Sequence, residues 1–589
     1  MARVDDPLGL LPYETLRGQP LAVVLAPGQG VGFAWEGGSL AIPTADPAAV
    51  VARVADHDPR WVWWLARETA LPLLEAGVRP RTCWDLGAVA RLLWAVRREE
   101  PDAVWAAAHG LPIPAPEVRR PAMHGGPSLF ELLDQDESNE GPIGPAGMLT
   151  RPWVNGFWAA DPHAAQQWAE LALQVQQIQA TQLATLADPR AEPRQPPLPL
   201  LTALSESAAA LLAVELGLYG LPLHIPTAEG LLRDIVGERP RDPAHEQALR
   251  QVRDDAVLQH APGDAIDLRS PAQVRALLGS VGLTLPDTRS WRLEPHAATS
   301  PLVAALLTWR KAERVATTYG YSWLDRCVEA GETGGRLRGE WRASDGAGGR
   351  MTASAGLHNL PTELRSAVRA DPDFTFVRAD LGQIEPRVLA AVSGDQALAA
   401  AAREEDMYAP VAAALRCDRP TAKVAVLAAM YGQTSGAAGA ALRDMDRAYP
   451  TAMAYLRSAE AAGREGRDLR TYGGRLLPLQ AVVAHAELPQ GAYGRFARNA
   501  VIQGAAAELF KAWAATVRDG LHQLGGRSGA QIVLCLHDEL LIHVPSEHVD
   551  AAVEVLETSL AATTRWWAAG SGVRFVAEIA TGPDWASAH

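Results

Sequence analysis

The chain has 589 residues, which is long enough for several domains that each bury a core of their own. A composition of 48% hydrophobic and 21% charged residues is typical of a globular protein and excludes a fibrous or disordered chain. The formal net charge of −14 excludes indiscriminate adhesion to nucleic acid, although it leaves room for a local basic cleft.

The first 190 residues alternate short apolar runs with helical patterns, which favours an α/β domain. Residues 187–199 read ADPRAEPRQPPLP. Because repeated proline blocks a helix and favours an extended chain, we divide the chain there. Within the first domain we predict strands at residues 21–25 and 61–65, and helices at residues 85–98 and 164–186.

Neither export nor membrane insertion is indicated. The apolar run at residues 208–218 contains Glu215 and is too short to cross a bilayer, and no signal peptide is found. The four cysteines lie far apart without a CxxC pair, which predicts neither a zinc site nor a disulfide framework. We expect a cytoplasmic, nucleoid-associated monomer that has no membrane partner.

A first candidate carboxylate follows a strand-like run. Residues 374–395 read FTFVRADLGQIEPRVLAAVSGD, where alternating β-rich residues end at Asp380 and a helix is predicted from about Pro386. This pattern places Asp380 at the end of a strand, where a side chain is exposed but held rigidly. A strand-end aspartate with a purely structural role is the alternative.

A second candidate lies in a predicted hairpin. Residues 531–544 read QIVLCLHDELLIHV, with two apolar runs on either side of His537, Asp538 and Glu539. Asp538 alone could be an ordinary turn residue. Two aspartates on strands, however, supply the hard oxygen ligands that two Mg²⁺ ions need in phosphoryl transfer.

Between these two segments lies RPTAKVAVLAAMYG, in which two cations, an apolar residue and an aromatic recur every four residues. On a helix they fall on one stripe, where the cations could neutralise phosphates and the apolar member could pack on a base or sugar. A solvated helix face is the alternative. The four residues are Arg419, Lys423, Leu427 and Tyr431.

All three segments resemble motifs of family A DNA polymerases: DYSQIELRVLAHLSGD (motif A), RxxxKxxxFGxxYG (motif B) and VHDELVFEVP (motif C). The resemblance implies that Asp380 and Asp538 bind two Mg²⁺, for which Mn²⁺ could substitute. It makes Glu539 an accessory catalytic carboxylate and places His537 near the primer terminus. Lys423 would act in catalysis, and the resemblance also implies a dNTP site formed by Arg419, Lys423, Leu427, Tyr431, Gln383 and Glu385.

Within that dNTP site, Glu385 would crowd a ribose 2′-hydroxyl, which implies a preference for deoxynucleotides. The chain departs from motif B at Leu427 and Ala428, where the family usually has an aromatic residue and a glycine. We therefore expect altered nucleotide affinity but intact chemistry.

Further segments are similar to the family's DNA-contacting stretches. They are GGRMTASAGLHNLP at residues 348–361, RFARNAVIQGAAAELFK at residues 495–511 and LLTWRKAERVATTYG at residues 306–320. Contacts in the minor groove suit a polymerase, because every correct base pair offers acceptors there. The implied contacts with primer–template DNA are Arg350, Asn359, Arg495, Asn499, Gln503, Arg310 and Arg314.

A 3′–5′ exonuclease domain often precedes the polymerase in this family. Its first DxE pair has no counterpart here, because Ala26, Pro27 and Gly28 stand where the acids are expected. Asp85 and Asp161 resemble later parts of the exonuclease pattern, but single scattered carboxylates do not hold two hard cations. We expect an exonuclease-like fold without proofreading, with an unrelated α/β domain as the alternative.

The implied fold class is α+β multidomain, a right-hand polymerase of palm, fingers and thumb preceded by an α/β RNase H-like exonuclease-type domain. We assign residues 1–190 to the exonuclease-like domain, 200–345 to the thumb and start of the palm, 346–400 to the palm with motif A, 401–483 to the fingers with motif B, and 484–589 to the palm with motif C.

The implied function is DNA-directed DNA synthesis in replication or repair. Three alternatives are a single-subunit RNA polymerase, a polymerase with residual 3′–5′ exonuclease activity, and a catalytically silent DNA-binding scaffold. Glu385 with Tyr431 disfavours ribonucleotides. A scaffold alone would not need the aspartates and cations of motifs A, B and C.

Overall fold

The computed structural model describes residues 7–115, 141–261, 266–331, 334–432, 437–485, 490–524 and 529–588. The chain divides into two compact units. The first comprises Met1–Leu218, Trp341–Thr352 and Val377–Ile579, and the second comprises Tyr219–Glu340, Ala353–Phe376 and Ala580–His589. The first unit includes both sides of residues 187–199. The bounds of the five segments assigned from the sequence stay a prediction.

Within the described residues the strands are β1 (Pro20–Ala26), β2 (Gly30–Trp35), β3 (Gly38–Pro43), β4 (Arg60–Trp63), β5 (Thr82–Asp85), β6 (Leu221–Leu223), β7 (Val328–Gly331), β8 (Gly334–Leu337), β9 (Trp341–Asp345), β10 (Arg350–Ala353), β11 (Phe374–Leu381), β12 (Leu469–Arg470), β13 (Leu476–Leu477), β14 (Gln531–Leu536), β15 (Glu539–Pro545) and β16 (Ala577–Gly582).

The first sheet, in the order β3-β2-β1-β4-β5, confirms the α/β prediction. Strands β1, β2 and β3 pair antiparallel, whereas β4 pairs parallel to both β1 and β5. Parallel neighbours need helical crossovers, which the intervening helices supply. The helices that accompany this sheet are Pro47–Ala55, Ala66–Glu75, Leu86–Trp94, Pro101–Ala108, Arg151–Val154 and Pro162–Ala184.

The second sheet, in the order β14-β15-β11-β16, brings motifs A and C together. Strands β14 and β15 form the predicted hairpin, and β15 lies beside β11. Helices follow motif A within the first unit. They are Ile384–Ser393, Gln396–Ala401, Tyr408–Leu415, Arg419–Tyr431, Ala437–Ala448, Pro450–Glu465, Leu479–His485, Gln490–Gln523 and Val549–Trp567.

The second unit is mainly helical and has a core of its own, which includes Val257, Leu278 and Trp309. Strands β6, β8 and β7 form a small antiparallel sheet. The helices are Ile225–Val236, Pro243–Leu258, Pro271–Ser280, Ser290–Leu293, Pro301–Thr318 and Tyr321–Cys327.

The helix Leu198–Tyr219 runs through the interior of the first unit. At 22 residues it is longer than the apolar run predicted from the sequence, and its length and composition alone would let it cross a membrane. In the protein, 61% of its most apolar 18-residue stretch is buried. Its residues contribute to three separate hydrophobic clusters, represented by Leu212, Ala203 and Leu211.

Two buried glutamates on this helix are paired with cations from distant parts of the chain. Glu206 lies 2.7 Å from Arg475 and 2.5 Å from Lys511, and Glu215 lies 2.6 Å from Arg518. Buried charges require such partners, because an unpaired charge inside a protein costs several kcal/mol. The helix is therefore tied to the rest of the first unit by charge as well as by apolar contact.

Candidate active site

Asp380 and Asp538 lie next to each other at one end of the strands of the second sheet. Asp380 is the last but one residue of β11, and Asp538 is in the turn between β14 and β15. The backbone N–H of Leu381 donates a 3.0 Å hydrogen bond to the carbonyl of Asp538, which fixes the two segments side by side. The structure thus brings together the two carboxylates that the sequence singled out.

The turn that carries Asp538 has two residues. Leu536 pairs with Glu539 across the hairpin, so His537 and Asp538 form the loop. His537 has a φ of 55°, in the left-handed region that tight two-residue hairpins require. Asp538 therefore lies beside β11, to which its backbone carbonyl is hydrogen-bonded, while His537 is exposed.

Three acids crowd this end of the second sheet. Burial, reinforced by the negative charges of Asp380 and then Glu539, raises the pKa of Asp538 to about 6. Glu539 is buried as the first residue of β15. The guanidinium of Arg378 lies 2.9 Å from both Asp380 Oδ2 and Glu539 Oε1. The carboxylates therefore form a concentrated negative site that one arginine neutralises in part.

The helix after motif A begins earlier than predicted. It spans Ile384–Ser393, so Pro386 lies in its first turn at the third position instead of the first. That position also tolerates proline, since the first four N–H groups of a helix have no partner within the helix. Gln383 precedes the helix with a φ of 59°, and its Oε1 accepts a 3.0 Å hydrogen bond from the N–H of Met407.

Glu385 is held by two donors. Arg350 donates to its Oε1 at 2.7 Å, and the hydroxyl of Tyr431 donates to its Oε2 at 3.1 Å. These residues come from β10, the helix after motif A and the end of the motif B helix. A carboxylate with both oxygens bonded keeps one orientation, which suits a residue that shapes a binding pocket.

The motif B helix spans Arg419–Tyr431, as the sequence predicted, and it ends at Gly432 with a φ of 66°. Arg419 lies at its first position and donates to Asp406 at 2.6 and 3.2 Å. This exposed pair can exchange its partners at little cost. Lys423 is exposed one turn later, and Leu427 is half-buried against the core.

The long helix Gln490–Gln523 carries the three predicted DNA contacts of its segment. Arg495 is exposed, and its Cγ lies close to Gly432, where a Cβ would approach it to 3.1 Å. Asn499 and Gln503 are partly exposed on following turns of the helix. All three lie in the same unit as the carboxylates.

Three further predicted contacts lie in the second unit. Arg310 is half-buried and donates to the backbone carbonyl and the hydroxyl of Thr288. Arg314 is exposed and donates at 3.2 Å to the carbonyl of Asn359, whose side chain is also exposed. Arg310 thus has a partner within its own unit that the sequence did not indicate.

The acids of the first domain have different surroundings. Asp85 is buried and accepts hydrogen bonds from Ala88 N at 2.8 Å and Ala66 N at 2.6 Å, so it caps two helices. Burial raises the pKa of Asp85 to about 7. Asp161 caps the helix Pro162–Ala184 through Ala164 N at 3.0 Å. Both carboxylates therefore have structural partners.

Sequence reasoning missed two charged residues of the site. Arg378 lies two residues before Asp380 in a strand, which places both side chains on one face, and a charge inside an apolar strand was the available signal. Asp406 lies 13 residues from Arg419, a separation that matches no helical or strand period. Only the tertiary structure shows that pair.

Comparison with known proteins identifies the same family that the sequence motifs resemble. Residues 244–587 match the sequence profile of DNA polymerase family A. The chain is 29% identical over 322 residues to DNA polymerase I of Chloroflexus aurantiacus, covering 50% of this chain and 33% of that protein. It is 27% identical over 366 residues to DNA polymerase I of Pseudomonas aeruginosa, covering 56% and 39%. The aligned region thus spans less than half of each relative.

Among solved structures, the chain resembles the POL domain of Pol1 from M. smegmatis, determined in complex with DNA primer-template and dNTP. The TM-score is 0.66 at 19% identity, and the match covers 100% of this chain and 99% of that one. This likeness confirms the predicted fold class. Because the profile covers more than half of the sequence, the chain belongs to DNA polymerase family A.

Proposed function

We propose that this protein is a DNA-directed DNA polymerase that adds dNTPs to a primer 3′-hydroxyl. The adjacent placement of Asp380 and Asp538, with the basic helix Arg419–Tyr431 in the same unit, is the observation that carries the proposal. Membership of the family and the likeness to a polymerase solved with primer–template and dNTP support it. The proposed setting is replication or repair in the cytoplasm, as a nucleoid-associated monomer.

The residues present fit two Mg²⁺ ions, with Mn²⁺ as a substitute. Burial and then the negative charge of Asp380 raise the pKa of Asp538, and cations bound beside the two carboxylates would relieve their repulsion. In the described part of the chain, no group of three or more His, Cys, Asp or Glu side chains is arranged to hold a metal ion by itself. Mg²⁺ typically uses one or two carboxylates and takes its other ligands from phosphates and water.

Bound Mg²⁺ supplies activation of the 3′-hydroxyl and neutralisation of phosphate charge. The chain's own side chains provide the rest. Arg419 exchanges Asp406 for a phosphate, and Lys423 offsets charge on the leaving pyrophosphate. Leu427 packs beside the incoming nucleotide in the position where the family usually has an aromatic side chain.

Sugar selection depends on Glu385 and Tyr431. Because Arg350 and Tyr431 fix both oxygens of Glu385, that carboxylate cannot easily turn aside for a ribose 2′-hydroxyl. We infer a preference for deoxynucleotides. Gln383 supports this part of the site by holding the backbone of Met407.

Duplex DNA would be bound mainly through polar side chains that test shape without reading sequence. On the first unit these are Arg350, Arg495, Asn499, Gln503 and His537. On the second unit, Arg314 and Asn359 are exposed and Arg310 is half-buried. Such contacts would favour every correct base pair equally.

We also propose that the first domain has an exonuclease-like fold without proofreading activity. Its sheet is of the α/β type, and its candidate acids Asp85 and Asp161 are engaged as helix caps. The segment where a DxE pair is expected contains Ala26, Pro27 and Gly28. A polymerase with residual exonuclease activity is the competing proposal.

Primer extension tests the proposal directly. A 5′-labelled primer on a longer template, with Mg²⁺ and all four dNTPs, should be extended by the wild type and not by Asp538→Ala. Asp161→Ala is the matched control, since it removes an aspartate from a helix cap in the same unit and should leave extension unchanged. Wild-type protein that binds the duplex but fails to extend it would support a silent scaffold.

The same substrate distinguishes a DNA polymerase from an RNA polymerase and from a polymerase with an active nuclease. Efficient extension with rNTPs in place of dNTPs would support an RNA polymerase. A 3′-labelled mismatched primer incubated with metal and no nucleotide should stay intact. Metal-dependent shortening of that primer, retained in Asp538→Ala, would show that the first domain is an active nuclease.

A further inference from the structure

A buried arginine lies inside the carboxylate site. Arg378 is in the middle of β11, and its side chain is only 9% exposed. Its Nη2 donates to Asp380 Oδ2 at 2.9 Å and to Glu539 Oε2 at 3.1 Å. Its Nε lies 2.9 Å from Glu539 Oε1. One guanidinium therefore spans acids from two neighbouring strands.

This arrangement treats the two acids differently. Glu539 contributes both oxygens to Arg378, and its side chain is 7% exposed, so its charge is committed to that pair. Asp380 contributes one oxygen and is 32% exposed. Asp380 is therefore the member of the pair that can exchange Arg378 for another cation, whereas Glu539 is held away from that exchange.

Resting on the polymerase function proposed above, we propose that Arg378 is a built-in counter-ion that sets the divalent-cation affinity of the site. It holds Asp380 in place through Oδ2 while no metal is bound, and a metal ion that takes Oδ2 as a ligand must displace it. Arg378 also keeps Glu539 out of the metal ligand set. It is thus a positioning residue that acts through the two carboxylates.

The choice of arginine fits this role. A planar guanidinium can serve two carboxylates at once and stays charged when buried. Burial lowers the pKa of Arg378, but the hydrogen bond and charge of Glu539 outweigh this effect and leave the pKa above its ordinary value. A fixed positive charge within a few ångströms repels an arriving cation, so Arg378 makes the free site bind metal more weakly.

Manganese binding in the absence of DNA and nucleotide tests the proposal without relying on activity. Free Mn²⁺ is measured by its paramagnetic resonance signal during titration of the full chain, and binding that persists in Asp538→Asn is subtracted. Arg378→Gln should bind Mn²⁺ about tenfold more tightly than the wild type, because a nearby charge is removed and Asp380 is released. Arg378→Lys should lie in between.

Two controls separate positioning from folding. Arg518→Gln removes another buried arginine of the first unit that pairs with a glutamate, and it should leave Mn²⁺ affinity unchanged. Since Arg378→Gln leaves Glu539 buried without its partner, the comparison is repeated in a Glu539→Gln background. There, Arg378→Gln should again tighten Mn²⁺ binding by a similar factor.

Each outcome bears on one proposal. Unchanged or weaker Mn²⁺ binding in both Arg378→Gln proteins, with binding still lost in Asp538→Asn, would overturn the counter-ion role and leave the polymerase proposal intact. Equal Mn²⁺ binding by the wild type and Asp538→Asn would instead show that the carboxylates do not form the metal site. A purely structural Arg378 would reduce thermal stability without tightening Mn²⁺ binding.

Discussion

The two sheets of this protein use aspartate in opposite ways. In the first sheet, Asp85 is buried and gives both its oxygens to backbone N–H groups of two helices. At one end of the strands of the second sheet, Asp380 and Asp538 are partly exposed beside a third acid and an arginine. The partners of a carboxylate, more than its place after a strand, thus distinguish a cap from a candidate catalytic group.

The largest expected effect comes from exchanging one acid in each sheet for asparagine. Asp380→Asn should reduce primer extension by about a thousandfold or more, because a metal site supplies several kcal/mol of transition-state stabilisation. Asp85→Asn should retain extension at any temperature where the protein is folded. Single-turnover rates with saturating DNA and dNTP measure both, and equal losses would remove the contrast between the two sheets.

The aspartates that cap helices in the first domain should contribute to the stability of the fold. Asp85→Ala leaves two helix N-termini without their acceptor and should lower the free energy of unfolding by about 2 kcal/mol. Asp161→Ala, which removes a single and more exposed cap, should cost about 1 kcal/mol. Urea unfolding followed by circular dichroism measures both. If Asp85→Ala left the free energy of unfolding unchanged, the hydrogen bonds of Asp85 would not be the reason for its burial.

Glu508 is a buried acid of the helix Gln490–Gln523 that has no predicted catalytic role. It accepts hydrogen bonds from the hydroxyl of Thr471 and, at 2.8 Å, from Gly473 N, and burial raises its pKa to about 7. Because the folded pKa exceeds the ordinary value of 4.5, folding favours the protonated form. The Glu508 contribution to stability is therefore full below pH 4.5 and is lost as pH rises to about 7.

Glu508→Gln should remove this pH dependence. The amide can donate to Thr471 and accept from Gly473, so the variant should match the wild type near pH 4.5 and exceed it by about 3 kcal/mol at pH 8. Urea midpoints measured across that range test the sign. A wild type whose stability relative to Glu508→Gln is constant with pH would contradict the assignment.

The smallest expected effect comes from Leu427, which stands where motif B usually has an aromatic residue. Leu427→Phe places an aromatic ring where the family usually has one, and we expect it to change the KM for dNTPs by about threefold to tenfold with little change in kcat. Dideoxynucleotide use should change with it. Val424→Phe on the exposed part of the same helix is the matched control. Unchanged KM and dideoxynucleotide use in Leu427→Phe would show that this position does not contact the nucleotide.

The sequence predicted those parts of the fold that depend on local pattern. The strand before Asp380, the hairpin around Asp538 and the helix Arg419–Tyr431 all appear, because apolar alternation, a turn and a helical stripe are each encoded within a few residues. The predicted start of the helix after motif A, at about Pro386, was wrong by two residues, because the helix begins at Ile384. Gln383 adopts a left-handed φ there, and proline is tolerated anywhere in the first turn.

Charge pairing between distant segments could not be predicted in this way. Glu206 meets Arg475 and Lys511 from more than 260 positions along the chain, and Arg378 meets Glu539 across two strands. No periodicity encodes such pairs, because they depend on how complete elements pack. The residue that we propose to tune the metal site belongs to this unpredicted class.

The helix Leu198–Tyr219 has a consequence for how the first unit unfolds. This helix supplies residues to the hydrophobic clusters on both faces of the first sheet and to the hydrophobic core around the second sheet. Neither sheet can therefore unfold while the helix stays packed. The first sheet and the second sheet should therefore lose structure in one cooperative transition. A cut at residues 187–199 would separate the first sheet from a helix that completes its hydrophobic core.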